Sequence, residues 1–348
     1  MDGVIVLNQR EVTESLDMQS VIQAVEEAFQ FKSAGKAEVY PLICKMYDNG
    51  SEFDIKSGEC SGANVLGLKL AGGYPLNVPL GLPRSNGIIV IFDYQHGLLK
   101  GILDSTYITR IRTGAAGGIG AKYLARKDSK TLTLLGAGRL APYLVAAALE
   151  AMEHIEKVIL CNPRHPQRGE EAAAGIKDLL LSQFVSRYLG TEKYDAALRK
   201  INITYLAEPD VQAACGEADI IITATNAREA LIKSEWIKAG THLSCMGADM
   251  PGKQEIDEKL VARARLFADD LEQVITVGEC KVAYQRQLIQ RGDILEIGQV
   301  IAGNAAGRTN DEEITIFDST GIAIQDLLAG QAAIRIADQK NIGLRISL

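Results

Sequence analysis

Thr131-Leu132-Thr133-Leu134-Leu135-Gly136-Ala137-Gly138-Arg139-Leu140-Ala141, continuing through Pro142-Tyr143-Leu144-Val145 to Met152, is the stretch on which the fold turns. Its first five residues are a short apolar run closed by a glycine, the pattern of a buried strand. Gly136-Ala137-Gly138 with Ala141 fits G-x-G-x-x-A, and residues 139–152 read as a helix. In such a turn the first glycine makes the bend and the second lets a pyrophosphate approach the backbone. The alanine lets the helix pack on its strand. Amides at the helix start then face the phosphates. The alternative is a glycine turn in an α/β domain without a cofactor.

Downstream the rhythm is strand and helix in turn, with strands expected at 157–161, 202–206, 219–223 and 242–246 and helices at 168–187 and 209–216. Short strands alternating with helices imply a parallel sheet with right-handed crossovers. Residues 181–200 are long and polar for a crossover and read as a surface extension. Near the end, Ile314–Asp318 reads as a strand and 321–337 as a closing helix.

Upstream the texture differs. Val4–Leu7 is a short strand, and Asp17 caps a helix whose apolar positions Val21, Ile22, Val25, Ala28 and Phe29 recur at helical spacing until Gly35 ends it. From Pro41 to Asp93 strands dominate, among them Val65–Leu70 and Gly87–Phe92, separated by turns such as Asp48-Asn49-Gly50 and the loop Gly72–Pro83. Ser105–Ala125 reads as a long helix rich in small residues, including Gly114, Gly117, Gly118 and Gly120. Each helical glycine costs about 1 kcal/mol, so close packing or a ligand has to compensate. The reading is an α/β chain of two domains. Residues 119–318 form a Rossmann dinucleotide-binding domain, and 1–118 with 319–348 form a sheet-rich α+β domain for substrate and dimerisation.

The bulk numbers set limits. A chain of 348 residues suits two domains. Its 37 basic and 44 acidic residues give a formal charge of −7, against a nucleic-acid partner, which needs clustered cations. No apolar run reaches the roughly 20 residues of a membrane helix, and the opening residues do not form a secretory leader. Six scattered cysteines without a C-x-x-C pair, and four histidines without ligand spacing, point to reduced thiols, a cytoplasmic setting and no metal.

Two segments bear on chemistry. The second strand ends Val158-Ile159-Leu160-Cys161 and runs into Asn162-Pro163-Arg164-His165. An acidic residue there would bind a ribose 2′-hydroxyl. None stands at the tip, and Arg164 is placed to pair with a 2′-phosphate, so NADP(H) is expected to be preferred, with NAD(H) accepted. Ser244-Cys245-Met246-Gly247-Ala248-Asp249-Met250-Pro251-Gly252-Lys253-Gln254-Glu255 follows another strand, at the carboxyl edge where open α/β sheets bind ligands. Asp249, among small residues, meets a substrate or merely shapes the turn.

These residues, together with Gly67-Leu68-Lys69, Ile111-Arg112-Thr113-Gly114-Ala115-Ala116 and Asp311–Gly321, resemble the ornithine cyclodeaminase/μ-crystallin family over nearly the whole chain. The Gly247–Glu255 and Asp311–Gly321 stretches look like its archaeal alanine dehydrogenase branch, and Gly-Arg-Leu-Ala-Pro like its pyrroline-carboxylate reductases. The resemblance implies a Rossmann domain inserted between an N-terminal sheet domain and a returning helix, and a homodimer through the sheet domain. It also implies that Lys69 and Arg112 hold a substrate carboxylate, that Asp249 is the acid/base, and that Asp249 and Lys69 are the catalytic residues. The implied cofactor contacts are Arg112, Thr113, Gly136, Ala137, Gly138, Arg139, Leu140, Asn162, Arg164, Thr225, Asn226, Met246 and Gly247, with Asp318 and Ser319 returning to its edge.

Departures from the family pattern bear on substrate. The arginine that cyclodeaminases use falls near Lys45, and the carboxylate that reads ornithine's distal amine falls, by spacing from Lys69, at Lys56. A lysine there repels a diamino acid and welcomes a second carboxylate, unless it points to solvent. A family threonine is replaced around Arg84. The implied activity is NAD(P)H-dependent reduction of a small imino acid, of which iminosuccinate is one. The rivals are ammonia-releasing ornithine cyclisation, a reductive condensing dehydrogenase, and a dinucleotide-binding crystallin without turnover.

Overall fold

A computed structural model of the protein describes residues 3–347. They divide into two units: residues up to Arg112 together with those from Ile322 onward, and Thr113–Gly321.

The first unit is built on an eight-stranded sheet. Its strands are β1 (Val4–Leu7), β2 (Ala37–Val39), β3 (Ile43–Met46), β4 (Glu52–Cys60), β5 (Val65–Gly73), β6 (Ser85–Asp93), β7 (Leu99–Asp104) and, from the chain's end, β16 (Leu344–Ile346). The order is β16-β1-β7-β6-β5-β4-β2, with β3 also pairing β4. All pairs are antiparallel except β1 with β7. Alternation along β5 shows which face is covered. Val65, Gly67 and Lys69 are buried, while Leu66, Leu68 and Leu70 are only half-buried, as expected when one face packs on helices. The closing helix Ala323–Lys340 lies on the buried face. Gly58 and Gly67, opposite each other in register, let it approach: a Cβ on Gly67 would sit 2.9 Å from Leu327 Cδ2, and one on Gly58 3.0 Å from Ile324 Cδ1. The helix Met18–Ser33 opens as its sequence predicts, with the Asp17 side chain accepting from the Ser20 amide at 2.8 Å. Gly72–Pro83 is not the plain loop expected, because β5 runs on to Gly73 and Pro75–Leu80 form a 3₁₀ turn.

The second unit is a wholly parallel sheet of β8 (Thr131–Leu135), β9 (Lys157–Cys161), β10 (Thr204–Ala207), β11 (Ile220–Thr223), β12 (His242–Cys245), β13 (Arg265–Ala268), β14 (Ile294–Glu296) and β15 (Thr315–Asp318). Their order is β10-β9-β8-β11-β12-β15-β13-β14. The glycine-turn strand β8 is central, and order reverses beside it, as in a Rossmann domain. Strand β8 is buried throughout.

Helix ends differ from expectation by a turn or less, with one exception. The helix expected over 168–187 is regular only over Pro166–Leu180, then widens into a π turn at Leu181–Val185. The polar extension is also more structured than its composition suggests. It carries a helix at Tyr194–Ile201 and buries Phe184, whose ring meets Tyr143 edge-on at 5.4 Å between centroids. The glycines of the long helix, which forms at Thr106–Leu124, serve packing. Cβ atoms on Gly114 and Gly118 would stand 2.5 and 2.7 Å from the carbonyls of Tyr143 and Ala147, so the helix Ala141–Ala151 lies almost backbone to backbone with it. Among the described residues no helix is long and apolar enough to cross a membrane.

Candidate active site

In the first unit, cations gather on the covered face of the sheet. Lys69 on β5 stands directly opposite Lys56 on β4, so both side chains leave the same face. The closing helix brings Asp326 to them. Asp326 Oδ2 accepts from Lys69 Nζ at 2.9 Å, and its Oδ1 accepts from Arg112 Nε at 3.1 Å. Arg112 Nη1 also donates to Gln325 Oε1 at 3.0 Å, whereas Gln325 Nε2 is buried without a partner among the described residues. Lys69 and Arg112 are 3% and 5% exposed and Asp326 is fully buried, while Lys56 is half-buried. Three cations thus surround one carboxylate. Burial pulls the Lys69 ammonium down to about 8, Asp326 opposes that pull, and Arg112 and Lys56 add repulsion. Burial alone would raise the Asp326 carboxyl, but Arg112 and then Lys69 outweigh it and hold it below the ordinary carboxylate value.

Lys45 does not join this group. Its register partner is Phe53, an odd number of residues from Lys56, so it leaves the opposite face and is exposed. Arg84 is exposed at the start of β6.

In the second unit, the predicted nucleotide residues collect at the carboxyl edge of the sheet. Gly136 bends with φ +116°, and its amide donates to Cys161 O at 2.9 Å. A Cβ there would meet Ala224 O at 2.6 Å and the Thr225 methyl at 3.2 Å. A Cβ on Gly138 would meet nothing within 4 Å, so the turn leaves backbone open to a ligand. Ala137 and Leu140 are half-buried and Arg139 is exposed. This open glycine bend, followed by an eleven-residue helix, fits a dinucleotide pyrophosphate. At the end of β9, Asn162 Oδ1 accepts from the His165 amide at 3.2 Å, and Arg164 is exposed. Glu208, just past β10, was not foreseen. Its amide donates to Leu160 O and its carboxylate accepts from the Asp210 amide at 2.9 Å, so an acid does stand beside the tip of β9.

Thr225 and Asn226 follow β11, the first half-buried and the second exposed. Met246 and Gly247 follow β12 and are buried, as is Thr113. Asp249 comes next in the loop. Its carboxylate accepts from Lys253 Nζ at 2.5 Å, and its side chain is 39% exposed. Asp318 and Ser319 turn inward. Asp318 Oδ2 accepts from the Cys280 amide at 2.9 Å and its Oδ1 is buried without a partner among the described residues, while Ser319 Oγ donates to Asp269 Oδ2 at 2.9 Å.

The residues that sequence reasoning missed are mostly carboxylates. Asp326 lies in the closing helix, 257 positions from Lys69. Glu255 and Glu279 are fully buried near the β11 and β12 ends, and burial, opposed for Glu255 by hydrogen bonds from Thr223 and Thr225, raises both carboxyls. A hint was available: Glu255 ends a turn-rich segment and is flanked by the apolar Ile256.

A model of the ornithine cyclodeaminase/mu-crystallin family matches residues 3–338. The chain is 35% identical to the alanine dehydrogenase of Archaeoglobus fulgidus, over 98% of each protein. Among solved structures it is similar to the iminosuccinate reductase of Paracoccus denitrificans in complex with NAD+, with a TM-score of 0.85 and 30% identity over 99% of this chain and 100% of that one. An archaeal alanine dehydrogenase dimer with bound NAD gives a TM-score of 0.86 and 33% identity over 99% of each chain.

Proposed function

The chain belongs to the ornithine cyclodeaminase/mu-crystallin family, and from that premise we propose that it is an oxidoreductase reducing a small imino acid to an amino acid. A bound nicotinamide dinucleotide supplies the hydride that reaches the α-carbon. Lys69 and Arg112 bind the α-carboxylate and fix the α-carbon, Arg112 with its planar donors. Asp249 carries the proton to the imine nitrogen, or takes it from the amine in reverse. Its neighbour Lys253 steadies the ionised form between turnovers. Gly136, Ala137 and Gly138 hold the pyrophosphate, with Arg139 and Leu140 at the helix start, and Thr113, Asn162, Thr225, Asn226, Met246 and Gly247 line the remainder. Asp318 and Ser319 act from behind, since their hydrogen bonds run inward.

One observation carries the choice of substrate: Lys56 stands directly across from Lys69. Three cations converge on one buried carboxylate, and the second carboxylate of a dicarboxylic imine such as iminosuccinate would be drawn to the Lys56 ammonium. A monocarboxylate leaves that attraction unused, and a diamino acid brings a further cation to a site rich in cations. The name of the Paracoccus relative supports the same reading.

Cofactor choice turns on the tip of β9. Exposed Arg164 beside Asn162, a neutral residue, favours NADP(H). A second reading, NAD(H), is favoured by Glu208 and by the NAD in both structural relatives. The half-exposed apolar face of the first sheet, Leu66, Leu68, Leu70, Val90 and Phe92 with exposed Ile43 and Ile88, supports a homodimer through that face.

The deciding experiment follows NADPH and NADH oxidation with oxaloacetate plus ammonia, pyruvate plus ammonia, and cyclic imines. Fastest turnover is expected with oxaloacetate plus ammonia. Turnover only with pyruvate or a cyclic imine overturns the role of Lys56, and oxidation with none of them leaves a dinucleotide-binding protein.

A further inference from the structure

Glu255 has no place in the chemistry above, yet it is fully buried within the nucleotide-binding unit. Its Oε1 accepts from the Thr225 amide at 2.6 Å. Its Oε2 accepts from the Thr223 hydroxyl at 2.5 Å and the Gly247 amide at 2.9 Å. Those three donors stand at the carboxyl ends of the adjacent strands β11 and β12. A Cβ on Gly247 would lie 2.4 Å from Glu255 Cδ, so the loop leading to Asp249 is seated directly on this carboxylate. On its other side Thr225 backs the Gly136 bend, where a Cβ would lie 2.6 Å from Ala224 O. Behind it Glu279 accepts from the amides of Glu255 and Ile256 at 2.8 and 3.1 Å, so the residue's own backbone is clamped as well.

We propose that Glu255 is a positioning residue, which sets the spacing between the Gly136 bend, the Thr225 turn and the loop that carries Asp249. A carboxylate suits the task because it accepts from all three donors at once, whereas an amide would present an N–H to at least one of them. In its kinetic consequences the inference rests on the imino-acid reduction proposed above; in its structural consequences it does not.

The test uses the full chain and Glu255→Gln, with Asp249→Asn for comparison. Hydrogen exchange at the Thr225 and Gly247 amides is expected to accelerate by about tenfold or more while the β8 amides stay protected. NADH affinity, read by fluorescence, is expected to weaken by about threefold to tenfold. With the imino acid, kcat falls by about a hundredfold and KM stays near wild type, because the first unit's cations are untouched. Unchanged exchange at those two amides, or a kcat per folded molecule equal to wild type, overturns the inference. Gly247→Ala supplies an independent push on the same carboxylate should Glu255→Gln fail to fold, and the same three readouts are expected to move. If the wild type reduces no imino acid, the reaction assignment fails, and the exchange and NADH readouts still decide the role of Glu255.

Discussion

The two units bury charge in opposite ways. In the first, three cations share one carboxylate, Asp326, and each hydrogen bond described there joins side chain to side chain. In the second, Glu255, Glu279 and Asp318 lie buried near one another with no ion pair described for any of them, and are held chiefly by backbone amides. The like charges of Glu255 and Asp318 reinforce the effect of burial on Glu279. Cations gathered on one face suit the dicarboxylic substrate proposed above. Buried carboxyls fixed by amides attract no anion and make a rigid support. On the readings proposed above, one cluster is completed by a ligand and the other holds the shape of its strand ends.

The largest expected effect comes from taking away the anion the cations share. Asp326→Asn leaves Lys69 and Arg112 buried without the carboxylate they share, Arg112 keeping its bond to Gln325, and breaking a buried pair from one side costs about 3–5 kcal/mol. A fall in kcat/KM of about three orders of magnitude is expected, together with a lower melting temperature. Without Asp326 the Lys69 ammonium, already near 8, drops further. The alkaline limb of kcat/KM, which reports the free enzyme, then moves to lower pH. A variant whose limb stays in place shows that Lys69 does not set it.

The second cluster makes a prediction of opposite sign for stability. Burial raises the Asp318 carboxyl from 3.8 to about 7. Between those values the folded protein holds a proton that the unfolded chain has released, so stability falls as pH rises from about 4 toward 7. The slope approaches about 1.4 kcal/mol per pH unit. Lys69 acts in the other direction at higher pH: folded near 8 and unfolded near 10.4, it makes stability rise across that window. Thermal melts at several pH values distinguish the two. Asp318→Asn should flatten the acid-side slope and leave the alkaline rise intact, and loss of both together would show that the clusters are not independent.

Smaller still is the effect of Lys56→Ala. Removing one partner of a charge-assisted contact costs about 2 kcal/mol, roughly thirtyfold in kcat/KM, and only for a dicarboxylic imine. A monocarboxylic substrate should be nearly indifferent. Equal losses for both would mean that Lys56 supports Lys69 and does not read the second carboxylate.

What was legible in the sequence was local. The glycine bend, the alternation around it and the Asp17 cap each depend on residues a few positions apart, and each stands where it was expected. Lys56 stands out in the sequence by its spacing from Lys69, and the β4–β5 register sets the two lysines opposite each other. Lys45 shows the limit of the same method. Side chains alternate between faces, so its position depends on how β3 registers against β4, which no count along the chain reveals. Asp326 and Gln325 were invisible because they matter only once the closing helix has returned to the sheet. Glu255 closes the Gly247–Glu255 stretch, where nothing local marks it as buried, since glutamates are mostly solvated. The π turn after Leu180 was hidden by side chains that suit a continuing helix equally well.

Thr223→Val tests the contrast at its most lenient point. The hydroxyl gives Glu255 one of its three donors, and valine keeps the shape while removing that donor. In the first cluster, loss of one partner strands a charge, but here the Thr225 and Gly247 amides remain on the same carboxylate. The cost should therefore stay near that of one charge-assisted hydrogen bond, about 1.5 kcal/mol, or a fall of about 4 °C in melting temperature for a unit of this size. With one stabilising donor gone, burial is opposed less and the Glu255 carboxyl rises further, which steepens the loss of stability toward neutral pH. A penalty as large as that of Asp326→Asn would mean the amides do not share the load, and that the second cluster depends on single partners just as the first one does.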